Sequence, residues 1–200
     1  QTYDNTDEQQ KAIFLEGTYD VSENLSATLG VRYTDYDLDT TSLQGGPFAW
    51  VPELVGFSEK TSTSDTSLKL SMTYQVDEDR MFYATAAEGF RAGGLNQPLP
   101  QICDAALADV GLTGSPGAWT SDEAWSYEVG TKNRLRGGRH SVDASIYTID
   151  WKDIPVNIYL GMGCNRGVVL NAASATSKGA DLQIAMAVTD QFTMSLAVAF

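Results

Sequence analysis

The chain has 200 residues, with 26 acidic and 13 basic side chains and one histidine, for a formal net charge of -13. That balance argues against nucleic acid as a partner, which needs a basic face, and a single histidine argues against a histidine-built metal site or catalytic triad. Mean hydropathy is -0.20, and no run approaches the roughly 18 apolar residues of a spanning helix. The two cysteines, Cys103 and Cys164, fit either one disulfide or two separate thiols.

Taken in chain order, alternation is the dominant signal. Weak alternation covers residues 10–20. It is strong in 25–33, where Leu25, Ala27, Leu29, Val31 and Tyr33 oppose Ser26, Thr28, Gly30 and Arg32. It is strong again in 66–76, with Leu68, Leu70, Met72, Tyr74 and Val76 against Ser67, Lys69, Ser71, Thr73 and Gln75. Weaker alternation covers 81–91, 122–135 and 140–152, and a short helical turn fits 104–111. Two further clear segments follow at 180–188, with Leu182, Ile184, Met186 and Val188 on one face, and at 192–200, from Phe192 to Phe200. A period of two is the mark of a strand with two unlike faces. The expectation is an all-β chain of about eight strands with no amphipathic helix.

The connections sort by length. Polar turns at 21–24, 77–79, 136–139 and 189–191 alternate with long segments near 40–61, 94–121 and 153–173. Strand, short turn, strand, long loop is the rhythm of an antiparallel transmembrane β-barrel. Arg32, Lys69, Lys132 and Asp181 sit among Ser and Thr on the polar faces, which suits a wet lumen. Tyr33, Tyr74, Trp125, Tyr147 and Phe192 are assigned to apolar-face ends at interface depth. A soluble all-β protein with one buried face per strand is the alternative. If the short turns are periplasmic, residues 1–10 begin outside and the last strand runs outward, so the chain is expected to be a piece of a larger barrel.

Three spaced stretches carry a resemblance: FYATAAEGFRAGGLN (82–96), WSYEVGTKNRLRGGRHSVDASIYTIDWKDI (125–154) and NAASATSKGADLQI (171–184). Together they resemble the C-terminal barrel of TonB-dependent outer-membrane receptors. The matching positions are Gly89, Phe90, Arg91, Gly93 and Gly94; Tyr127, Glu128, Gly130 and Lys132; Tyr147, Asp150, Trp151, Asp153 and Ile154; and Asn171, Ala172, Ala175, Gly179 and Asp181. Asp181 stands where the family more often has Glu. LGVRYTDYD (29–37) resembles another strand of the family.

The resemblance implies a barrel of about 22 strands, with residues 1–200 as a partial β-barrel domain and the plug domain absent from this chain. It implies an active importer whose partners are outer-membrane lipid, the plug of the same polypeptide, and the periplasmic energy-coupling protein TonB, reached through an N-terminal part not present here. The cargo would be a scarce nutrient, most often a ferric siderophore, otherwise cobalamin, haem or a saccharide. Long loops would be extracellular. Strand glycines Gly89 and Gly130 would permit curvature or close contact, and Gly93 and Gly94 would let the chain turn out of the sheet. Glu128 and Lys132 share one face and would join a lumen charge network or hold the plug. With the loops so placed, Cys103 follows EGFRAGG and Cys164 follows DWKDI, and a loop-to-loop disulfide is expected in an oxidising exterior.

No enzyme signal and no cofactor motif emerges. DYDLD (35–39) starts like a calcium loop, but Thr40 and Gly46 replace the required Gly and Glu. RAGGLN lacks a phosphate-loop pattern, and Asp122 and Glu123 lack placed partners for glycoside hydrolysis. His140 reads as a periplasmic surface residue. Trp50, Trp119 and Tyr159 are placed in the loops, to stack on a ligand or to pack them. The competing functions are a passive porin or adhesin-type barrel and a soluble glycan-binding β-sandwich.

Overall fold

The computed structural model describes residues 2–46 and 51–200. One antiparallel sheet of eight strands dominates: β1 (Thr2–Ser22), β2 (Leu25–Gly46), β3 (Val51–Asp77), β4 (Arg80–Arg91), β7 (Asp122–Leu135), β8 (His140–Tyr159), β9 (Gly167–Ala187) and β10 (Thr193–Ala199), ordered as they occur in the chain. The insertion after β4 carries a two-stranded ribbon, β5 (Gly94–Leu95) with β6 (Ala118–Trp119), and a short helix α1 (Asp104–Asp109). A second short helix, α2 (Gly161–Cys164), joins β8 to β9. The eight strands and the helical turn near 104–111 stand where alternation and composition placed them.

Register makes the alternating residues into two continuous faces. Leu15, Val31, Leu68 and Leu70, Ala86, Tyr127 and Val129, Ile146, Ala180 and Leu182, and Val198 follow one another across neighbouring strands. This face is apolar and exposed: Leu15 is 73% exposed, Leu29 63%, Val129 55% and Ile146 64%. No second sheet covers it among the described residues, so the chain does not form a sandwich. A water-soluble monomer rarely displays so large an apolar patch, whereas a lipid-facing barrel wall requires one.

The opposite face is polar and knitted across strands. Thr18 and Thr28 share a hydrogen bond of 2.9 Å, Ser71 and Thr85 another of 2.9 Å, and Lys69 reaches Glu16 at 2.9 Å. Glu16 and Lys69 lie on either side of Gly30, which has no side chain to separate them. Tyr147 belongs to this polar face, opposite Glu128 and Gly179; its assignment to an apolar end is therefore corrected. The cause is parity: the apolar residues of β8 are Val142, Ala144 and Ile146, and Tyr147 has the other parity.

The short turns are stitched to the next hairpin. Gln75 N–H donates to Asn24 O at 2.7 Å, Arg134 N–H to Asp79 O at 2.7 Å, and Ala187 N–H to Arg139 O at 2.8 Å. In the β3–β4 turn the Arg80 guanidinium hydrogen-bonds Asp77 and holds its carboxyl below the ordinary carboxylate range. His140 is half-buried, on the apolar face beside the exposed Leu135 and Met186.

Two of the expected long loops are largely strand. β2 continues to Gly46, β3 begins at Val51, and β8 continues to Tyr159. The DYDLD stretch is paired β2, with Asp35 opposite Lys11 and Ser64, and Asp39 opposite Asp7 and Lys60. Above Tyr33 both faces are polar, so the apolar alternation ends while the backbone ladder continues. Trp50 lies outside the described residues.

Leu38 of β2 apart, the buried apolar residues among those described gather at the loop end of the sheet in one cluster. Cys103, Leu107, Leu160, Cys164 and Val168 form it, packed by Leu99, Leu112, Ile158 and Leu170. They cap the loop end of β8 and β9, and a disulfide joins Cys103 to Cys164 across a sequence separation of 61. Closing a loop of that length contributes up to about 4 kcal/mol by chain entropy. A C103S/C164S variant of the full-length protein is expected to unfold locally in 94–121. Limited proteolysis should cut there at least several-fold faster, with the thermal transition of the sheet unchanged.

Candidate functional site

Three clusters of polar side chains stand on the inner face and at its loop end. The first is a groove of about 300 Å³ lined by Tyr83, Glu128, Lys132, Asp143, Asp181 and Gln183. Glu128, Gly130 and Lys132 share parity on β7, and Tyr83 of β4 lies opposite Gly130. The Tyr83 ring occupies the space above Gly130, where an added Cβ would come within 2.6 Å of it. From there the Tyr83 hydroxyl donates to Glu128 Oε1, and Lys132 Nζ sits 5.7 Å from the ring centroid. Glu128 and Lys132 thus communicate through a tyrosine that lies within the first motif stretch but not among its matching positions. Asp143 faces Lys132 and Asp181 faces Ser145. The groove holds three carboxylates and one ammonium, a local surplus of negative charge.

Gly179 repeats the arrangement. It lies opposite Tyr147, whose phenol end covers it, and an added Cβ would clash with that ring. Gly89 differs: nothing lies within 4 Å of its missing Cβ, so close contact does not explain it.

The second cluster closes the loop end of β4 and β7. Arg91 and Asp122 are register partners. Arg91 Nη2 donates to Asp122 Oδ2 at 2.6 Å, and Trp151 Nε1 donates to the same oxygen at 3.0 Å. The guanidinium also lies over the Trp151 ring, 5.3 Å from its centroid. Asp122 is 3% exposed; a carboxylate so buried needs both donors. Phe90 is half-buried opposite Glu123, and nothing further assigns it a role. Tyr127 is on the apolar face, stacked on Trp125 at 5.9 Å.

The third cluster pins the cap. Asn171 Oδ1 accepts from Thr120 N–H at 2.8 Å, while its Nδ2 donates to Thr120 O at 2.9 Å and to Asp153 O at 2.7 Å. Asn96 does the same to Val169, with its Nδ2 donating at 2.9 Å and its Oδ1 accepting at 2.8 Å. Each amide side chain acts as an extra rung of ladder. Asp153 has a φ of 55° at the bulge where β8 slips against β9, and the Asn171 bond steadies that left-handed residue. Gly93 and Gly94 have ordinary φ, so they do not serve as a left-handed turn. Their role is close approach: a Cβ on either would collide with Trp119 or its backbone. Trp119 therefore packs the cap.

Tyr83 and Asn96 were not singled out from the sequence, and Asp122 was weighed only as a glycosidase carboxylate. Tyr83 had one legible signal, an aromatic on the polar parity of its strand. The pairings of Asp122 with Trp151 and of Asn96 with Val169 had none, because these partners lie 29 and 73 residues away.

A family model described as TonB dependent receptor-like, beta-barrel matches residues 1–200. This chain belongs to the TonB-dependent receptors. It is 25% identical over 191 residues to the metal-pseudopaline receptor CntO of Pseudomonas aeruginosa, covering 94% of this chain and 23% of that protein. The fold resembles the ferric yersiniabactin uptake receptor FyuA of Yersinia pestis, with a TM-score of 0.75 at 16% identity over 99% of this chain and 27% of that one. It also resembles the siderophore receptor PiuA of Acinetobacter baumannii, with a TM-score of 0.73 at 14% identity over 98% and 26%. The receptor segment thus spans about a quarter of the length of these relatives, and its single sheet is a partial barrel wall.

Lodging Tyr83 over Gly130 has a measurable consequence. Gly130→Ala in the full-length receptor is expected to cost about 1–3 kcal/mol in detergent by overpacking. In a Tyr83→Ala background most of that cost should vanish, and a double-mutant cycle of unfolding free energies reads the coupling directly.

Proposed function

We propose that this chain is wall and outer cap of an outer-membrane receptor that imports a metal-chelate nutrient, most concretely a ferric siderophore, by energy-coupled transport. The observation that carries the membrane part is the exposed apolar face running unbroken from Leu15 to Val198 over a polar inner face. The cargo class is supported by relatives that are receptors for metal-pseudopaline and ferric yersiniabactin. The segment carries out no bond-making chemistry of its own.

In this reading the turns at 23–24, 78–79, 136–139 and 188–192 are periplasmic and the disulfide-closed cap is extracellular. Tyr33 marks the outer rim, since the outward face changes there from Val31 and Leu29 to Asp35, Asp37 and Asp39. The acidic groove of Glu128, Asp143 and Asp181 faces the lumen, where a plug from elsewhere in the same polypeptide would present a cation. TonB would act on the protein through that plug. The passive-pore alternative differs in one respect: it needs no coupling.

The test is uptake by cells carrying the full-length receptor, with and without a working TonB system, offered ferric siderophores, cobalamin, haem and saccharides. Uptake of a ferric siderophore only in coupled cells is expected. Coupled uptake of another class alone would replace the cargo, and equal uptake in both strains would establish a passive pore.

A further inference from the structure

Two paired strands separate before either one ends. β3 and β4 pair from Asp77 and Arg80 up to Lys69 and Ala87. Beyond that rung β4 continues to Arg91 along β7, and β3 reaches back to Val51 along β2. Between the parted edges lies an open groove of about 530 Å³, with Arg32, Thr34, Tyr36 and Ser67 on one side and Gly89 and Arg91 on the other.

The backbone does not forbid the missing rungs. No bulge interrupts β3 between Val55 and Tyr74, or β4 between Arg80 and Arg91. Continued past Lys69 and Ala87, the same register sets Leu68 opposite Glu88, Ser67 opposite Gly89, Thr66 opposite Phe90 and Asp65 opposite Arg91. The first of these rungs is replaced by a side chain: Leu68 N–H donates to Glu88 Oε2 at 3.3 Å, where the ladder would use the Glu88 carbonyl. Thr66 N–H points to the same side by alternation, and β4 does not meet it. Gly89 puts no side chain in the way, for nothing lies within 4 Å of its missing Cβ. Asp65 has the inward parity of Lys69, and its carboxylate has no partner among the described residues. The Arg91 side chain is 58% exposed and meets Asp122 through one nitrogen.

We propose that the outer end of β4 is a latch with two pairings. The structure shows it open, with the Glu88 carboxylate on Leu68 N–H. In the closed pairing the Glu88 and Phe90 carbonyls accept from Leu68 and Thr66 N–H, and Arg91 lies between Asp122 and Asp65. Closing thus replaces one side-chain acceptor with two backbone acceptors and keeps the Arg91–Asp122 pair. The cap opposes it. β4 leads through Gly93 into β5, which is paired with β6 and packed on Trp119, so closing draws the cap toward the β2–β3 arm and shuts the groove. The open edge is tolerated because the gap lies at the level of Tyr33, the register partner of Thr66, where water can satisfy it. The latch goes beyond the proposed function and needs neither a particular cargo nor coupling.

The experiment is disulfide trapping in the full-length receptor in detergent. In the closed ladder Ser67 and Gly89 are a pair without hydrogen bonds, with Cα atoms about 4.5 Å apart, a spacing that a disulfide spans. S67C/G89C is expected to cross-link on mild oxidation. Glu88→Ala should raise that rate about fivefold, because only the open form loses its acceptor. T66C/G89C, whose side chains point to opposite faces, should stay reduced. Equal cross-linking of both pairs, or a rate that Glu88→Ala leaves unchanged, overturns the latch. Hydrogen exchange decides the matter without cysteines. E88A should slow exchange of the Thr66 amide about fivefold, although it deletes a hydrogen bond. A strand that is merely loosened would exchange faster, and faster or unchanged exchange overturns the proposal.

Discussion

Backbone hydrogen bonding in hydrocarbon is the constraint from which the rest follows. No water is available there to satisfy N–H and C=O groups, so each strand must be paired along its length by its neighbours. The eight strands obey this in simple sequential order, each pairing with the next in the sheet. That order lets all outward side chains have one parity and all inward ones the other. The apolar face and the polar face are consequences of a ladder whose register shifts fall only near its ends, since a shift of one residue within the span would turn Arg32 or Lys69 into lipid.

This wall has no hydrophobic core of its own. Lipid takes the place of a packed second layer, and the inner face is held by short polar bonds such as Thr18 to Thr28 and Ser71 to Thr85. Glycines on that face do a particular job: Gly130 and Gly179 provide flat ground on which Tyr83 and Tyr147 lie along the sheet. The aromatic rings then carry hydroxyl groups sideways to acids, so a charge pair four residues apart on one strand is bridged from another. Local surplus of carboxylate over ammonium in that groove is tolerable because the groove is wet and open.

The cap obeys different rules. Outside the bilayer water is plentiful, and a long insertion must order itself as a small globular unit does. It does so with a compact apolar cluster around Leu107 and Val168, a disulfide, and amide side chains that imitate backbone. Asn96 and Asn171 fasten the insertion to β9, while Arg91, Asp122 and Trp151 close the seam beneath it. The cap is thereby held on a fixed frame, whereas the β2–β3 arm extends beyond the end of the β3–β4 ladder, with β1 paired to β2 and β2 to β3.

Alternation alone determined the number of strands, their order of appearance and which residues face each way, because a period of two is local and survives without knowledge of neighbours. It misplaced the upper limits of β2, β3 and β8, where water on both sides removes the apolar signal but leaves the hydrogen-bond ladder intact. It misassigned Tyr147, whose parity was outweighed by its chemical type. The motif glycines and Arg91 were legible as positions, and their physical roles were not. Only the tertiary structure decided that Gly94 makes room for Trp119, that Asp122 is the buried partner of Arg91, and that Asn96 reaches Val169. Each of those depends on contacts between residues distant in the chain, and such contacts are set by register and loop closure rather than by any pattern within a single segment.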